Sequence, residues 1–257
     1  MAITYKSQGA GVATEASGGA LSPLCPATVD ANDILIAHCM YEGTTTTPNT
    51  PGGWTLLRGP DTVDSTYRTW VFGKIAAGTE DGAAVAFGTP AVTTMRAARV
   101  YSFAGYSSGT ITDCVPADSF AVTSSAGTSV GFPTVTTSEA GALAVALISE
   151  EDDNAQAAST GESGGDWVEA VGEYVQSATT PDTGMGIQTC TPTANPGTVS
   201  GGSITTAAND AAGVIGFEIR DSLVASASIS PSVSPSSSIS PSASLSPSVS
   251  PSISSSV

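Results

Sequence analysis

Positive charge is scarce in this chain. Its 257 residues hold seven Lys and Arg against 23 Asp and Glu, for a formal net charge of −16. No basic stripe exists to follow a polyphosphate backbone, so nucleic acid is excluded as a partner. An anionic membrane surface repels such a chain as well. No run of 18 apolar residues occurs, so no segment has the length and hydropathy of a spanning helix. Histidine occurs once, at His38, and no CxxC or Cys/His cluster is present, so zinc is not expected. A phosphate-cradling G-x-G-x-x-G before a helix is missing, and so is any apolar period of 3.6 residues. No cofactor is expected. The opening MAITYKSQGAGVATEASGG lacks a basic segment followed by an apolar one. The expectation is synthesis without a secretory signal, any extracellular location being reached by another route such as lysis.

What is present is β-like. Short apolar runs such as DILIAHCMY (33–41), RTWVFGKI (68–75) and RAARVYSFAGY (96–106) are separated by Gly, Pro and Thr. Charge, glycine and aromatics stop at about residue 222. The composition therefore divides the chain into a globular body, 1–222, and a Ser/Pro-rich tail, 223–257. Cys39 and Cys190 lie in apolar runs and read as buried thiols. Cys25 and Cys114 lie in loop-like stretches, where a free pair of thiols and a disulfide both fit.

The body repeats itself. CPATVDANDILIAHCM (25–40) is echoed by FPTVTTSEAGALAVALI (132–148), GGWTLL (52–57) by GGDWVEAV (164–171), YRTWVFGKI (67–75) by TGMGIQTCT (183–191), and RAARVYSFAGY by AAGVIGFEIRD (211–221). These four segments recur in the same order, giving two halves of about 1–112 and 113–222, with about five strands each. A single such sheet leaves a face uncovered. Two packed face to face form a sandwich of about ten strands. Trp54, directly after Gly-Gly, and Trp167, one residue beyond Gly-Gly, are expected to cap that core at corresponding places. The fold class is all-β: a jelly-roll-like β-sandwich of two repeated halves, then an extended tail.

The order D-I-L-I-A (33–37), G-W-T-L-L (53–57), W-V-F-G-K-I-A (70–76) and R-A-A-R-V-Y-S-F-A-G (96–105) resembles structural proteins of tailed phages and of metagenomes. G-G-D-W-V-E-A-V (164–171) with G-F-E-I-R (216–220) looks like the second half of the same group, and M-A-I-T-Y looks like its start. The resemblance covers about residues 1–222. It implies a jelly-roll-like sandwich on a virion or another extracellular assembly, and it carries no catalytic residue.

Reaction chemistry finds little support. GESGG (161–165) matches G-x-S-x-G, but it precedes a strand instead of a helix, and His38 lies ahead of Ser163 in the chain. A hairpin loop accounts for it better. A single strand histidine such as His38 reads as structural. The densest acidic run, SEEDDN (149–154), offers Glu150, Glu151, Asp152 and Asp153 as a candidate Ca²⁺ site, although it lacks the D-x-D-x-D-G spacing and reads first as a solvated turn. The threonine-rich loop YEGTTTTPNTPGG (41–53) is a natural contact surface. With Tyr41 and Tyr106 as candidate aromatics, surface glycans are an alternative partner.

From Ser226 to Ser256 every even-numbered residue is serine. The odd positions carry Ile229, Val233, Ile239, Leu245, Val249 and Ile253, and prolines at 231, 235, 241, 247 and 251. In an extended chain this places serine on one face and the apolar set on the other. Successive residues point their N–H groups to opposite edges, so the prolines remove donors from one edge only. That pattern suits a strand that pairs along one side and is blocked on the other. A disordered or O-glycosylated linker is the competing reading. The function expected is a non-enzymatic virion surface protein, a capsid-decoration or fibre subunit, whose partners are its own copies and other virion subunits. The alternatives are a non-viral extracellular filament subunit joined by strand addition and a carbohydrate-binding adhesion module.

Overall fold

In the computed structural model the described residues are 1–14, 20–43, 47–63, 67–88, 95–106, 109–150, 159–169, 175–176 (backbone only), 183–205 and 211–221. Residues Met1–Val224 form one compact unit. The tail, with its six apolar positions from Ile229 to Ile253, lies outside the described residues.

The first half contributes β1 (Thr4–Gln8), β2 (Val12–Thr14), β3 (Ala31–Glu42), β4 (Thr55–Thr62), β5 (Tyr67–Ala77) and β6 (Arg96–Ala104). They form one antiparallel sheet in the order β1-β6-β3-β5-β4, with β2 also on β6. The second half begins with a single helical turn, α1 (Ile111–Cys114). It continues with β7 (Ala121–Ala126), β8 (Ser129–Gly131), β9 (Val135–Thr136), β10 (Leu143–Glu150), β11 (Thr160–Ser163), β12 (Val168–Glu169), β13 (Val175–Gln176), β14 (Gly184–Cys190), β15 (Thr198–Thr205) and β16 (Ala211–Ile219). Its main sheet runs β7-β16-β10-β14-β12, with β13 also on β14. The two orders correspond: the first strand lies beside the last, the last beside the long central strand (β3 or β10), then β5 or β14, then the edge strand β4 or β12. The aromatics agree. Tyr5 on β1 meets Phe103 on β6 edge-on at 5.7 Å, and Phe120, the residue before β7, stacks on Phe217 of β16 at 4.9 Å.

The two main sheets face each other. Alternation along the strands puts Ile34, Ile36, Tyr101 and Phe103 on the inner face of one, and Leu143, Val145, Leu147 and Phe217 on that of the other, in one buried cluster. The expected picture of one sheet per half needs correction on the outer side, because each half covers its own outer face. In the first half, segments 21–26 and 82–88 pair antiparallel: Phe87 N–H donates to Leu21 O at 2.9 Å and Cys25 N–H to Ala83 O at 2.8 Å. In the second half β15 pairs with β8, β9 and β11. First strand with last (β1-β6, β7-β16), outer segment with outer segment (21–26 with 82–88, β8 and β9 with β15) and central strand with late hairpin strand (β3-β5, β10-β14) is the pairing of a rolled two-stranded ribbon, so each half is jelly-roll-like in itself. The central strands of the main sheets are thus dry on both faces, which explains why β3 and β10 read as continuous apolar runs instead of alternating ones. The tryptophans occupy corresponding outer layers, not the shared inner core. Trp54 lies against Phe87 and Trp167 stacks on Phe132.

Candidate functional site

His38 sits on the inner face of β3, fully buried between Ile36 and Met40. Its register neighbours are Val71 on β5 and Arg99 on β6. Ser149 of β10 is in hydrogen-bond contact with His38 Nε2 at 3.0 Å, across the interface between the two sheets. Setting Phe103 against Phe217 places His38 and Ser149 at the same position of their respective sheets, so corresponding residues touch. Burial pushes the imidazole down to about 3, so it is neutral at physiological pH. Its Nδ1 has no hydrogen-bond partner among the described residues. A proton acceptor closed off in this way is out of reach of any dissolved substrate.

Ser163 ends β11 in the small sheet that covers the outer face of the second half, pairing with Ser200 of β15. His38 lies on the far side of the main sheet from it. The glycines of GESGG have backbone reasons instead. Gly164 adopts φ +88°, and a Cβ there would fall 2.0 Å from Thr198 O. Glu150, read as part of a solvated turn, is buried at the end of β10, because the dry outer face of that strand extends to its last residue. Glu151, Asp152 and Asp153 lie outside the described residues. No group of three or more metal-ligating side chains occurs among the described residues.

All four cysteines are buried thiols. Cys25 belongs to the outer core of the first half and Cys114 to the inner core, on opposite faces of one sheet, so they do not pair. Burial raises the Cys25 thiol, with Glu80 adding to the effect, to about 11. Tyr41 and Tyr106 are also buried, which removes them as a glycan platform.

Sequence reasoning missed a cleft of about 310 Å³ on the first half, lined by Cys25, Pro51, Gly52, Trp54, Lys74 and Glu80 with Ala83–Ala86. Lys74 Nζ lies 2.7 Å from Glu80 Oε1. Burial alone would raise the Glu80 carboxyl, but Lys74 and the N–H groups of Ala77 and Thr79 hold it at about 2. The charged turn G-T-E-D-G (78–82) following K-I-A-A was the available signal.

Cations elsewhere are committed too. Lys6 bridges Asp30 and Asp33 at 2.6 Å each, Arg58 grips Asp61 at 2.7 Å, and Arg220 lies 3.6 Å from Glu218. Arg96 and Arg99 are buried within the first sheet. The outward field of the body is therefore acidic. No protein-family model, no curated protein and no solved structure matches this chain.

Proposed function

We propose that the protein is a non-enzymatic structural subunit of a virion surface, a capsid-decoration or fibre protein, joined to its neighbours through the tail. The observation that carries this reading is the one-sided tail: 16 alternate serines opposite apolar residues and prolines of a single parity, attached to a closed acidic body. A spacer needs only solubility, whereas one blocked edge and one open edge suit pairing that stops after a single partner. The burial of His38 and its separation from Ser163 are consistent with a role other than catalysis. The same tail fits a non-viral extracellular filament, and electron microscopy of particles against fibres separates the two.

The reading is tested by comparing the full chain with one ending at residue 222. The full chain is expected to sediment as oligomers, and the shortened one as a folded monomer. Equal masses refute it. A second reading, glycan binding, draws on the cleft at Trp54, Lys74 and Glu80, whose volume is at the small end for ligand sites. A glycan array probed with wild type and Lys74→Ala tests it, since a signal lost in the variant would locate binding there.

A further inference from the structure

Sheet edges are where a pairing strand must dock, and the edges of this body differ in how they are guarded. β4 is broken by two register shifts, between Leu56 and Arg58 and between Arg58 and Asp61, and it carries Pro60 with a charged pair. β1 has a register shift between Tyr5 and Ser7, with Lys6 in it. β12 and β13 are two residues long each. These are the usual devices that stop edge pairing. β7 has none of them. Its sequence, AVTSSA, holds no charge and no proline, and it pairs with β16 in unbroken register from Ala121↔Gly216 to Ala126↔Ala211.

Among the described residues no strand pairs with the outer side of β7. No backbone group of 121–126 bonds to anything but the β16 ladder among the described residues. Thr123 Oγ1 donates to Gly131 O, which holds β8 over the sheet face and leaves the edge clear. Ser124 and Ala126 are exposed. Half the residues of an antiparallel edge strand present N–H and C=O groups outward, so β7 offers a ladder about 20 Å long at ~3.4 Å per residue.

We infer that β7 is the acceptor edge for the serine-alternating tail of a second copy of this chain. This deepens the assembly reading above and rests on it. In an extended conformation the tail would keep a full row of donors on its serine edge, and its apolar face would continue the inner row that Val122 begins in the shared core. The second copy is the occupant because the assembly reading joins neighbouring bodies through the tail, and a strand arriving from a neighbour can enter antiparallel to β7, the more stable ladder.

The test uses the full chain throughout. Wild type, Ser124→Lys with Ala126→Lys, and Ser228→Pro with Ser238→Pro and Ser244→Pro are compared by sedimentation velocity. The lysines guard the edge from exposed positions. The new prolines fall on the even parity, so they block the tail's open edge. Both variants are expected to associate at least tenfold more weakly than wild type. If the tail variant dissociates while the β7 variant stays assembled, the acceptor lies elsewhere and the tail reading survives. If both stay assembled, both ideas fail. Amide exchange on wild type needs no variant: protection of 121–126 should rise with protein concentration. Protection that is high and independent of concentration means the chain's own tail docks there, and the second-copy inference is overturned.

Discussion

Replacing His38 with Leu, together with Ser149→Ala, should remove a pH-dependent weakness from the body. The imidazole titrates near 6.5 in an unfolded chain and near 3 when folded. Between those values the unfolded chain takes up a proton that the folded chain refuses. Stability therefore falls with pH below about 6.5, by ~1.4 kcal/mol per unit, and the loss from this group ends near its folded value. At about pH 5 the loss is ~2 kcal/mol, and above about pH 7 it is negligible. Ser149 is changed as well because its hydroxyl, 1% exposed, would otherwise be left buried and unpaired at a cost of about 1–3 kcal/mol. Urea unfolding of both proteins at about pH 7.5 and pH 5 gives the comparison, because carboxylate contributions are common to the two. The variant should gain ~2 kcal/mol on wild type between the two conditions. An unchanged difference would refute the assignment of His38 as a neutral buried base.

Four further outcomes follow from the structure. Lys74→Met should raise the acid-unfolding midpoint, since the stabilisation from Glu80 is present above about pH 4.5 and is lost as pH falls toward about 2; Trp54 fluorescence, in the same cleft, reports it, and an unmoved midpoint counts against the pair. Gly164→Ala should cost roughly 2 kcal/mol or more from its left-handed backbone and its clash with Thr198 O. Gly52→Ala, where a Cβ meets nothing within 4 Å, and Ser163→Ala should both leave the melting temperature nearly unchanged. The four thiols should resist an aromatic disulfide reagent in the native state and react together on unfolding; early reaction of Cys25 would show that the cleft opens onto it.

Much of the fold could be read from the chain because the apolar runs are strong. DILIAHCMY and LAVALISE became central strands, and the recurrence of RAARVYSFAGY as AAGVIGFEIRD marked the two last strands of matching sheets. The outer layers were hidden. Segments 21–26 and 82–88 are broken by proline and glycine and are held by a few backbone bonds, so no period announces them. Glu150 misled because its acidic neighbours suggest solvent, while its place on β10 is set by the strand before it. The contact of His38 with Ser149 joins residues 111 positions apart and has no local signature. The cleft was legible only in part: Glu80 follows Lys74 closely in one charged turn, whereas Cys25 and Trp54 come from separate segments.

Every one of the 23 acidic residues precedes Ser222, and the tail carries no charge at all. Copies tethered to one another would be mutually repelling beads on neutral cord. Repulsion between exposed charges fades over a Debye length of about 8 Å at physiological ionic strength. Added salt should thus draw neighbours closer and tighten their association, the reverse of what a partnership built on opposite charges would do.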